Sequence, residues 1–160
     1  MKRISLVILG IVLSLVVRPA TAENLNVMTF NIRYDNLGDG LDNWRFRAEN
    51  VVGMFTHHEV AIAGLQEVLH RQLTLLEKRL PGYGHVGVGR EDGKQGGEYA
   101  PIFYRKERLE LTRSETIWLS ETPGKVGSKS WDSSLPRIAT LAWLKDKETE
   151  KRLLVVNTHF

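Results

Sequence analysis

Four polar side chains of this chain stand where chemistry is done: Asn31, Glu67, Glu98 and His159. Asn31 and Glu67 close short apolar runs, Glu98 precedes one, and His159 lies near the end of the last. An Asn and a Glu offer oxygen ligands, which hard cations such as Mg²⁺ prefer. A Glu beside a His orients the imidazole and holds its charged form. There is no Gly-rich phosphate loop, no Gly-x-Ser-x-Gly elbow, no cysteine nucleophile and no zinc-type histidine spacing. By exclusion, these residues point to hydrolysis assisted by an oxygen-ligated metal. Each also has a plainer reading, with Asn31 as a turn start and Glu67 as a helix-capping acid.

The elements that must position them follow from periodicity. Residues 24–32 alternate as a strand with Leu25, Val27 and Thr29 on one face and Met28, Phe30 and Ile32 on the other, which predicts burial on both sides. Gly38-Asp39-Gly40 is turn chemistry. Residues 44–58 read as a helix capped by Asp42 or Asn43, with Trp44, Val51, Met54 and Phe55 on one face and Arg45, Arg47 and Glu49 pointing away. His57 and His58 at its end suit a helix C-terminus better than a metal site. A short apolar strand over 60–65 delivers Gln66-Glu67, and Leu73, Leu76 and Leu80 mark a helix stopped by Pro81-Gly82. Strands are predicted over 83–89, 99–105, 109–120 and 138–144. Residues 90–97 read as a mobile polar loop, and 121–136 as a long loop in which Trp131 is either a pin or a substrate contact. The last strand, Leu153 to Phe160, turns polar at its tip with Asn157 and His159. This order argues for an α/β fold, a sheet covered by helices.

The first 22 residues are set apart. Met1-Lys2-Arg3 is positive, residues 4–17 are apolar, and Ala20-Thr21-Ala22 is a small-x-small cleavage site. That is a secretory signal peptide, cleaved near Ala22, which predicts a secreted or periplasmic protein. An uncleaved membrane anchor is the alternative, though the run is short for a span. Lys2, Arg3 and Arg18 leave with the leader, so 22 basic residues fall to 19 against 19 acidic ones. A neutral mature chain lacks the basic footprint of a nucleic-acid binder. With no cysteine, the domain rests on its core without disulfides.

Four motifs in order carry a family resemblance: Thr29-Phe30-Asn31-Ile32-Arg33, Gly64-Leu65-Gln66-Glu67-Val68, Gly97-Glu98-Tyr99 with Ile102-Phe103-Tyr104, and Asn157-Thr158-His159-Phe160. Together they resemble the endonuclease/exonuclease/phosphatase superfamily, which includes deoxyribonuclease I-like nucleases, neutral sphingomyelinases and inositol polyphosphate 5-phosphatases. Gly87-Val88-Gly89-Arg90, Trp118 to Pro123 and Trp131-Asp132 are similar to secreted bacterial members.

The resemblance implies a four-layer α/β sandwich of two mixed β-sheets flanked by helices. It implies that Glu67 ligates the catalytic Mg²⁺ (Mn²⁺ being the alternative) and that Asn31 supports the metal and phosphate site. His159 would contact the scissile phosphate, Glu98 would pair with His159, and Arg137 and Asn157 would bind phosphate. The implied reaction is attack of metal-assisted water on a phosphate ester: nucleic acid, phospholipid head group, sugar phosphate or nucleotide. Family members continue past the Asn-x-His-Phe strand with Asp-His, Gly-Asp-x-Asn and a second Asp-His segment. The expectation is therefore a leader over 1–22 and the N-terminal half of such a domain over 23–160, with exposed apolar sheet surface and an incomplete site. The alternative is a non-catalytic truncated or degenerate member, or a secreted binding module on the same scaffold.

Overall fold

A computed structural model describes residues 24–160; the leader expected over 1–22 lies outside them. Strand β1 (Val27–Asn31) leads through a 3₁₀ turn (Leu37–Asp42) into helix α1 (Trp44–His57) and back to β2 (Ile62–Gln66). The long crossover lets β1 and β2 pair in parallel, with Asn31 opposite Gln66. Helix α2 (His70–Arg79) then leads to β3 (Tyr83–Val86) and β4 (Ile102–Arg105), which complete a mixed sheet in the order β1-β2-β4-β3. Strands β5 (Leu109–Trp118), β6 (Ile138–Asp146) and β7 (Arg152–Thr158) form a second sheet. That sheet is antiparallel throughout, where a mixed one was expected. Its consecutive strands are joined without any crossover helix, and such connections reverse chain direction.

Both helices cover one face of the first sheet. Asn43 caps α1, its Oδ1 accepting from the Arg45 N–H at 3.2 Å. Trp44, Ala48, Val51 and Phe55 form the buried stripe of α1. Phe55 meets Tyr83 and Phe103 edge-on, with centroids 5.2 and 5.8 Å away. The other face of the sheet packs on the second sheet through Ala61, Ile62 and Ile102 against Leu109, Ala142 and Leu144. The described residues thus make three layers, and among them no helix covers the outer face of β7, where Leu154 and Val156 are each 55% exposed.

The fully buried strand is β2, and β1 is not buried on both sides as its sequence suggests. It lies at the sheet edge, with Met28 and Phe30 on the core and Val27 67% exposed. At the end of the second sheet far from the polar tip of β7, Arg108 grips Asp146 bidentately at 2.7 and 3.0 Å. The hydrogen bonds from Arg108 hold the Asp146 carboxyl far below the usual range.

The two sheets are clasped by one side chain. Asn157 continues the inward parity of Leu153 and Val155 on β7. Its Nδ2 donates to the carbonyls of Leu65 (2.7 Å) and Pro101 (3.0 Å), and its Oδ1 accepts from Gln66 Nε2 (2.7 Å). Gly64 makes room for it: a Cβ there would lie 2.7 Å from Asn157 Oδ1.

Candidate active site

The polar ends of β1, β2 and β7 converge. Asn31 Nδ2 donates to Glu67 Oε1 at 2.9 Å, and the Tyr34 N–H donates to Oε2 at 3.0 Å. His159 Nε2 stands 3.7 Å from the same Oε1. The Arg33 N–H returns to Asn31 Oδ1 at 2.9 Å, which sets which end of the carboxamide faces Glu67. Partial burial works against ionised Glu67. The Asn31 bond, the Tyr34 amide and the nearby positive charge of His159 and Arg33 outweigh it, so the carboxyl titrates below the ordinary glutamate value.

This corner is held under strain. Arg33 and Glu67 both adopt φ of +59°, a conformation that costs a non-glycine residue roughly 1–3 kcal/mol. The surroundings over-determine it. The Arg33 carbonyl accepts from Arg47 Nη2 (2.7 Å) and Gln72 Nε2 (2.9 Å), and Arg47 also bonds the carbonyls of Ile32 and Asp42. Gln72 is fully buried and accepts from the Leu69 and Asp35 N–H groups at 3.0 and 3.2 Å. Arg47 therefore does not point away from the site, as its place on α1 suggests; it braces the exit of β1. Asp39 pins the Arg33 guanidinium at 2.9 and 3.0 Å.

A second group of residues arrives from the loop before β4. Tyr99 pairs with Val68, its N–H donating to the Val68 carbonyl at 2.8 Å, which brings Glu98 beside the Glu67 segment. The expected Glu98–His159 pair is not formed. Glu98 Oε2 instead accepts from Arg90 Nη1 at 2.9 Å, and the carboxylate facing His159 is that of Glu67. The reason is local: Arg90, in the same loop, has a buried side chain and reaches the carboxylate first. Nor is the 90–97 segment loose. Asp92 Oδ1 accepts from the Lys94 and Gly96 N–H groups, both at 2.8 Å. Tyr99 donates to the Lys94 carbonyl at 2.7 Å, and Trp118 Nε1 donates to the Arg90 carbonyl at 2.7 Å.

The structure thus brings Asn31, Glu67 and His159 into direct contact. Glu98, Arg137 and His159 meet around a small pocket that Arg90 also walls. It does not bring Asn157 to a ligand-accessible place: the side chain is buried and its amide is spent between the sheets. Trp131 is 69% exposed, so it does not pin its loop. Arg47 and Gln72 lie outside the motifs, and Arg90 lies in one, Gly87-Val88-Gly89-Arg90, that gave it no role. The one available signal was a glutamine amid the apolar positions of α2.

The donor set fits a hard cation in one respect. Glu67 is ionised and adjoins Asn31, and Mg²⁺ is commonly held by one or two carboxylates with water filling the other positions. Among the described residues no group of three or more His, Cys, Asp or Glu surrounds a common point. Any cation held here would rest on Glu67 and Asn31.

No family model matches the chain, and no curated protein does. Solved structures do. An endonuclease/exonuclease/phosphatase from Bacteroides vulgatus is 53% identical, with a TM-score of 0.81 over 82% of this chain and 51% of that one. The chain is similar in sequence and fold to structures of the endonuclease/exonuclease/phosphatase family. A second member of that family, from Bacteroides thetaiotaomicron, is 39% identical with a TM-score of 0.82, over 85% of this chain and 49% of that one. A mannosyl-6-phosphatase from Bacteroides thetaiotaomicron is also 39% identical, with a TM-score of 0.80 over 83% and 50%. The chain spans about half the length of these three structures.

Proposed function

We propose that this chain carries the cation-binding half of a hydrolase of phosphate esters, exported by its 1–22 leader to the periplasm or outside. The observation that supports it most is the Asn31–Glu67–His159 contact at three converging strand ends, with Glu67 held ionised. In this reading Glu67 ligates Mg²⁺ or Mn²⁺ and Asn31 orients its carboxylate. When bound, such an ion polarises phosphate oxygens and favours a water nucleophile. His159 in its charged form and Arg137 meet the negative charge that grows on the phosphate oxygens. The strained backbone at Arg33 and Glu67 keeps these groups in place before substrate arrives. Asn157 acts through the sheets and not on phosphate.

Among phosphate esters, the mannosyl-6-phosphatase at 39% identity favours a sugar phosphate. The neutral mature charge disfavours nucleic acid. The test is hydrolysis of generic phosphomonoesters, phosphodiesters and hexose 6-phosphates by the intact protein, with and without EDTA. Loss of activity in EDTA and in Glu67→Ala is expected. Turnover indifferent to both would overturn the proposal.

A further inference from the structure

We propose that Arg90 is an additional phosphate-binding residue, forming with Arg137 and His159 a seat for one oxygen of the substrate's phosphate. The inference rests on the phosphoesterase reading for the identity of its ligand. Its geometry stands independently. Arg90, Glu98, Arg137 and His159 wall a common cavity of about 10 Å³, the size for a single water or oxygen atom. The Arg90 side chain is only 8% exposed. Its Nη1 is engaged by Glu98, but its Nε is buried with no partner in the protein. A buried guanidinium that keeps one donor unpaired is uncommon.

The residue is also built in. Its N–H donates to the Glu98 carbonyl at 3.1 Å, and its own carbonyl accepts from Trp118 Nε1 at 2.7 Å. Both ends of its backbone are therefore fixed, and the guanidinium does not sweep through solvent as a surface arginine does. The charges agree with an anion. Two guanidiniums face one carboxylate, leaving a net positive wall even before His159 is protonated. A planar guanidinium anchored through Nη1 to Glu98 suits a phosphate oxygen better than a point charge would. Glu98 then serves to orient Arg90, which explains why it is not found on His159.

The test uses the intact protein in EDTA, with inorganic phosphate as the probe, so that neither turnover nor a metal contributes. Arg90→Met is expected to weaken phosphate binding, read by calorimetry, by about tenfold or more. Arg90→Lys, which keeps the charge but not the fork, is expected to fall between. The parent protein supplies a readout free of folding effects. Its Arg90 Nε–H resonance, identified by its loss in Arg90→Lys, is expected to shift as phosphate is added. A resonance unmoved at saturating phosphate, or parental affinity in Arg90→Met, would overturn the proposal. Phosphate binding through Arg90 in a protein with no turnover upholds the seat and refutes the hydrolase. Turnover with Arg90 indifferent to phosphate does the reverse.

Discussion

Replacing Asn157 with alanine should loosen the two sheets without touching substrate contacts. Three hydrogen bonds are lost, to Leu65 and Pro101 carbonyls at 2.7 and 3.0 Å and from Gln66 Nε2 at 2.7 Å. At about 0.5–1.5 kcal/mol each, the sum is roughly 1.5–4.5 kcal/mol. For a domain of this size that corresponds to a fall in Tm of roughly 5–15 °C. Asn157→Asp is the sharper test because it keeps the shape. Its carboxylate cannot donate, so a buried oxygen anion would face two carbonyl oxygens. The cost should exceed that of alanine, at about 3–5 kcal/mol for an uncompensated buried charge. Gly64→Ala should act on the same bonds, since its Cβ would sit 2.7 and 2.8 Å from Asn157 Oδ1 and Cγ. Thermal and urea unfolding of the three variants, with KM on any substrate found, decides the matter. A Tm unchanged within about 2 °C in Asn157→Ala, together with a raised KM, would return Asn157 to a phosphate-binding role and refute the clasp.

Because the Glu67 carboxyl is depressed in the fold, its stabilisation is present above the ordinary glutamate value and lost as pH falls through the folded one. The stability difference between the parent and Glu67→Gln should thus be flat above about pH 5 and shrink below about pH 4.3. Urea midpoints across that range check this, and a difference growing toward acid contradicts it. Gly89→Ala should spread the loop that carries Arg90 and Glu98, since its Cβ would lie 2.2 Å from the Gly96 carbonyl oxygen. A loss of about 1–3 kcal/mol in denaturant unfolding is expected. Trp131→Ala should leave stability within about 0.5 kcal/mol, given the exposure of the ring; a larger drop in Tm would mean that the ring does pin its loop.

The element order was legible because strand and helix periods are local properties. The runs ending in Asn31 and Gln66 read as strands, and the Trp44–Phe55 stripe read as a helix, from spacing alone. Burial was less legible. The β1 and β2 runs look alike, yet one is an edge strand and the other is covered on both sides, because sheet order is set by pairing and not by composition. Inward parity with Leu153 and Val155 was a readable sign that Asn157 faces the core, but the polar tip of β7 outweighed it. Gln72 showed only as a glutamine amid the apolar positions of α2, and Arg47 had no sign, since it acts through main-chain carbonyls; the pairing of Arg90 with Glu98 is local but depends on the fold of their loop.

By itself, then, the sequence determined which polar residues stand at the ends of apolar runs: Asn31, Glu67, Glu98 and His159 mark local changes between apolar and polar. Only the tertiary structure decided how they pair. Glu67 took Asn31 and His159, Glu98 took Arg90, and Asn157 went between the sheets. Such choices depend on which side chains reach each other, across dozens of residues for Glu67 and Asn157 and within one loop for Glu98, and on which donors are buried with them. Neither spacing nor composition encodes that, because hydrogen bonds inside a fold are decided by proximity and desolvation after the sheets have closed.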